Sequence, residues 1–67
     1  QIHRLSINKL TINQLKRHPY MGYYRARAIA DYRRLKGPIH RLEDLGMLKD
    51  FTPEAIERLK PYVSFEE

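Results

Sequence analysis

At 67 residues the chain is one small domain without cysteine, so no disulfide or thiolate metal site supports it, and its scattered histidines (His3, His18, His40) lack zinc-ligand spacing. No apolar run approaches the ~20 residues of a membrane span and no signal peptide is visible; a first residue of Gln1 in place of Met leads us to expect a piece of a longer protein. The net charge of +5 is unevenly divided: residues 1–41 hold ten Lys/Arg against Asp31 alone (+9) and residues 42–67 hold three against seven acids (−4), which points either to a polyanion-facing half or to a solvated basic helix face.

Ile2 to Asn8 alternates loosely and reads as an extended lead-in, with too little strand pattern to expect a sheet. Thr11-Ile12-Asn13-Gln14 has the form of a capping box, in which a hydroxyl serves the third helical amide and Gln reaches back to the cap. A short helix should follow to about His18, burying Ile12 and Leu15, and Pro19 should stop it by biasing His18 away from helical angles. Gly22 can adopt a backbone conformation closed to other residues. A longer helix is expected from about Tyr23 to Lys36. Its inner stripe is Ala26, Ile29, Ala30 and Tyr32 or Arg33, with Arg27, Asp31 and Arg34 outside.

Gly37-Pro38 ends that helix, glycine suiting the left-handed cap and proline being unable to continue. A third helix over about Arg41 to Met47 carries Leu42 and Leu45 on one face. Thr52-Pro53-Glu54 announces a fourth, with a hydroxyl cap, proline at the first position and an acid near the positive end. It should reach about Lys60, burying Ala55, Ile56 and Leu59, before Pro61-Tyr62-Val63 closes the fold and Ser64 to Glu67 trails as a polar tail.

A shift of 30 residues pairs Ile12 with Leu42, Leu15 with Leu45, Met21 with Phe51, Ala26 with Ile56, Ile29 with Leu59 and Tyr32 with Tyr62. A repeated unit of short helix, tight hairpin and second helix explains that register without a gap. Each unit has one apolar face, so the two should pack together about a pseudo-twofold axis. The expectation is an all-α domain of four main short helices, its units spanning about 11–36 and 41–63.

Leu15-x-x-His18-Pro19-Tyr20-Met21-Gly22-x-x-x-Ala26-x-x-Ile29 resembles the hairpin pattern L-x-x-L-P-G-I-G-x-x-x-A-x-x-I. It is the pattern of tandem helix-hairpin-helix modules like that of the competence protein ComEA and its relatives. Asp31-Tyr32-Arg33-Arg34-Leu35-Lys36-Gly37-Pro38-Ile39 is similar to the family's "YR…G-x-F" connector, and Leu42-Glu43-Asp44-Leu45 to its "LEDL". The likeness covers residues 7–63. It implies non-sequence-specific binding of double-stranded DNA, with a place in competence and DNA uptake. Carried over position by position, it puts phosphate-binding loop amides near Tyr20, Gly22 and Tyr24. The accompanying charges fall on Arg25 and Arg27, with Lys16 and Arg17 from the preceding helix. Physics agrees, because the first amides of a helix lack internal partners and sit at the positive end of its dipole.

The chain departs from the pattern at Tyr20 and His18, which replace a glycine and a leucine. It departs again at Lys49-Asp50-Phe51-Thr52, where both glycines are gone and an acid stands where phosphate would lie. The second hairpin should therefore be structural, its backbone superposing on the first but its amides satisfied from within by Thr52 and Asp50. A different reading is a structural or protein-interaction domain that has kept the fold, lost DNA binding and meets other domains of the parent chain, or a partner, through Tyr20, Tyr23 and Tyr24. No nucleophile with a paired base, magnesium-binding acid cluster or glycine-rich nucleotide loop is visible. We accordingly expect no enzyme activity, no cofactor and no small-molecule substrate.

Overall fold

The computed structural model describes residues 4–66; Gln1, with Ile2 and His3 of the expected lead-in, and Glu67 of the expected tail lie outside that range. In chain order the elements are a short strand β1 (Leu5–Ser6), helices α1 (Ile12–Leu15), α2 (Gly22–Lys36), α3 (Leu42–Leu45) and α4 (Pro53–Leu59), a 3-10 turn (Lys60–Tyr62) and a strand β2 (Val63–Ser64). The fold is all-α apart from that pair of strands.

Capping chemistry sets the helix starts. The Thr11 hydroxyl accepts from the Gln14 amide at 3.2 Å while the Gln14 side chain accepts from the Thr11 amide at 3.0 Å, closing the capping box of α1. The Thr52 hydroxyl accepts from the Ala55 amide at 3.2 Å, with Pro53 at the first turn of α4. At the far end of α2, Gly37 takes φ +93° and its amide donates to the Arg33 carbonyl, so the chain leaves the helix through a conformation that favours glycine. The short helices end earlier than their periodicity suggests. After Leu15 and again after Leu45 the chain turns, with His18 N–H bonded to Leu15 O and Leu48 N–H to Leu45 O, both at 3.1 Å.

The core takes Leu15, Met21, Ala26 and Ile29 from the first unit and Leu45, Phe51, Ala55 and Leu59 from the second. Three of the pairs related by the 30-residue shift are buried on both sides: Leu15 with Leu45, Met21 with Phe51, and Ile29 with Leu59. The Ala26–Ile56 pair breaks the register, since Ile56 is only half-buried and the neighbouring Ala55 goes inside.

Connecting segments add Ile7, Ile39 and Val63 to the core. No sheet was expected, yet the lead-in and the C-terminal segment form a two-stranded parallel sheet with Leu5 opposite Val63 and Ser6 opposite Ser64. Two-residue strands are too short to show an alternating pattern, so the pairing is invisible to periodicity. Asn8 locks it. Its side-chain amide donates to the carbonyls of Ile39 (2.8 Å) and Phe65 (3.2 Å), and its oxygen accepts from the Ile39 amide at 2.7 Å. One side chain thus joins the N-terminal segment, the connector and the C-terminal segment. Arg33 ties in the remaining corner, its guanidinium donating to the Leu10 carbonyl just ahead of α1.

Candidate nucleic-acid interface

The candidate interface begins where α2 begins. Gly22 opens the helix at φ +74°, a left-handed conformation that L side chains rarely adopt. A Cβ at Gly22 would meet nothing within 4 Å, so backbone angle and not space requires the glycine. The turn leaves Met21 at the cap position, and no side chain caps α2. Tyr23 and Tyr24 follow in the first turn, both exposed. A 15-residue helix therefore presents its leading amides, those of Gly22, Tyr23 and Tyr24, without a side-chain acceptor at the positive end of its dipole.

The expected amide donors are not all free. The Tyr20 amide donates to Nδ1 of His18 at 3.2 Å, and the Met21 amide to the His18 carbonyl at 3.0 Å. His18, standing where the family pattern has leucine, thereby occupies an amide that the resemblance assigns to phosphate. The Tyr20 ring remains exposed but packs among its neighbours. It lies 5.8 Å from His18 and 6.1 Å from Tyr62, and the Arg58 guanidinium sits 6.0 Å from its centroid. Tyr23 and Tyr24 instead meet each other edge to face at 5.5 Å, so the three tyrosines divide between two clusters.

The charges also divide. Arg25 is committed within the protein: its Nε donates to the Asp50 carbonyl at 2.8 Å and one of its terminal nitrogens to the Tyr20 carbonyl at 2.9 Å. A guanidinium can do this because its planar fork carries several donors and no acceptor. Arg25 clasps one hairpin to the other. Arg27 lies on the exposed face within 3.9 Å of the Asp31 carboxylate, which also pairs with Arg34 at 3.2 Å. Lys16 and Arg17, on the turn leading to Gly22, are exposed and make no ion pair among the described residues.

The second hairpin differs in backbone as well as charge, contrary to the expected superposition. At a 30-residue shift Tyr20 aligns with Asp50 and Gly22 with Thr52. The left-handed residue is Gly22 in the first hairpin, and in the second it is Asp50, at φ +71°. Aspartate tolerates that conformation better than most residues, so the turn survives loss of its glycine. Thr52, with extended backbone, is then free to cap α4 as expected. The places of Lys16 and Arg17 are taken by Gly46 and Met47, which removes the positive charge.

The sequence pointed to the special backbone of Gly22, which the structure shows, but not to the partners of Tyr20 and Arg25. The signal for Asp50 was present, since Asp at a lost glycine position fits a left-handed turn. A family model for the helix-hairpin-helix motif matches residues 1–64. Comparison with curated proteins finds no match.

Proposed function

Because the chain belongs to the helix-hairpin-helix family, a motif generally associated with non-sequence-specific DNA binding, we propose that it grips double-stranded DNA by backbone phosphate at the start of α2. The observation that carries this reading is the contrast between the two hairpins. The helix after the first hairpin has no side-chain cap and follows two cations that make no ion pair among the described residues, whereas Thr52 caps the helix after the second. A phosphate oxygen would accept from the amides of Gly22, Tyr23 and Tyr24, with Lys16, Arg17 and Arg27 supplying charge around it. Tyr24, 73% exposed, would lie against a sugar or base. Arg25 contributes by holding the hairpin in place. Such contacts give affinity without reading sequence. The likeness of residues 7–63 to ComEA-type modules supports the same reading and extends it to holding DNA during uptake.

The test is a titration of a fluorescein-labelled duplex of random sequence, followed by anisotropy at several salt concentrations. With roughly 2–4 phosphates neutralised, log K should fall against log salt with a slope of about −2 to −4. Replacing Lys16, Arg17 and Arg27 together by Gln should weaken binding at least tenfold and flatten the slope, while circular dichroism stays unchanged because all three are exposed. Binding that ignores salt, or that survives the triple replacement, would overturn the proposal.

A further inference from the structure

The structure carries a second surface, away from the amides at the start of α2. Besides its buried stripe of Ala26 and Ile29, α2 bears another apolar stripe at Ala28, Tyr32 and Leu35, spaced four and three residues apart along one helix face. This stripe continues onto Met47 and Leu48 of the second hairpin, and together they line a groove of about 360 Å³. Leu35 is 73% exposed and Met47 81%, so two large apolar side chains stand in water at its edge. A pair of water-facing apolar residues bordering an apolar groove differs from the scattered exposed residues normal on any surface.

Charge narrows what fits there. Lys36 and Lys49 border the groove and make no ion pair among the described residues, whereas Asp31 is already matched by Arg27 and Arg34. The net character of the rim is positive. Met47 also stands at the position where the first hairpin has Arg17, so the second hairpin exchanges a cation for an apolar contact at the equivalent place. A second copy docking through the same face across a twofold interface would bring two lysine-edged rims together, which like charges oppose.

We propose that this groove is a docking site for an amphipathic helix of a protein partner, with apolar side chains at i, i+3 or i+4, and i+7 and acidic residues on its flanks. The apolar face covers Leu35 and Met47, and the acids meet Lys36 and Lys49. Methionine suits such a site because its flexible thioether conforms to different packings.

The experiment is a titration of the 15N-labelled chain with a synthetic 18-residue peptide carrying leucines at that spacing, flanked by glutamates. A scrambled peptide and one with lysines in place of the glutamates serve as comparisons. Amide shifts should concentrate at Ala28, Tyr32, Leu35, Met47 and Leu48. Binding should be at least tenfold tighter for the acidic peptide than for the scrambled or the basic one. The exposed pair Leu35→Ser and Met47→Ser should weaken it at least tenfold without altering the remaining spectrum, and Lys36→Glu with Lys49→Glu should reverse the preference between acidic and basic peptides. Equal binding of the scrambled peptide, or shifts centred elsewhere, would overturn the proposal. So would self-association abolished by Leu35→Ser, which gives the surface to a second copy, or binding to anionic phospholipid vesicles without binding to the peptide.

Discussion

Arg25 shows how a residue's chemistry and its role separate. An arginine three residues after the hairpin glycine reads as a phosphate ligand, yet its guanidinium is spent on the carbonyls of Tyr20 and Asp50. Arg25→Met should cost about 1 kcal/mol, the scale of partly exposed hydrogen bonds to a charged donor, and Arg25→Lys should recover little because an ammonium lacks the fork. Urea titration checks both. Asn8 should matter more: Asn8→Ala removes three hydrogen bonds at one half-buried point and should cost about 2 kcal/mol. Neither role was legible in the sequence, since each is a contact between distant segments and carries no periodic or turn signature. Gly22 and Thr52 were legible, because backbone angle and capping are local and depend on residue type. Gly22→Ala should destabilise by about 1 kcal/mol through backbone strain alone, while Asp50→Gly, relieving a left-handed aspartate, should be close to neutral.

Among the elements, α2 and α4 are the informative pair. Both follow a hairpin, but α4 supplies its own cap and α2 does not. Thr52→Ala should lower stability by about 1 kcal/mol and leave duplex affinity unchanged. Tyr24→Glu should act in the opposite sense on two properties. A carboxylate in the first turn of α2 complements the helix dipole and should stabilise by about 0.5 kcal/mol, yet it competes for the same amides and repels phosphate, so duplex binding should drop at least tenfold. A stability gain without loss of DNA affinity would move the phosphate away from this helix end. The helices themselves were readable from caps, prolines and apolar spacing. The strands were not, because two residues each leave no pattern to read.

For the whole molecule, a domain of this size has little core to spare, and its closure depends on joining its ends. Ile7 and Val63 bury beside one another's strands while Asn8 bridges to Ile39 and Phe65, so the segments flanking the two units complete the core. The 30-residue repeat gave the architecture because burial recurs with it at Leu15/Leu45, Met21/Phe51 and Ile29/Leu59. It failed to give the hairpin details, since the two turns place their left-handed residue differently. The charge division follows the same asymmetry, with cations ahead of the first hairpin's helix and an acid within the second hairpin's turn.

That asymmetry is what a 15N heteronuclear titration with a short random-sequence duplex tests most directly. At low salt the largest shifts should fall on the amides of Gly22, Tyr23 and Tyr24, with Lys16 and Arg17 beside them and Asp50 to Ala55 nearly still; added salt should reverse them together. Shifts led by the Asp50–Ala55 amides, or spread over the basic face with Gly22 to Tyr24 unmoved, would contradict a phosphate held at the first hairpin.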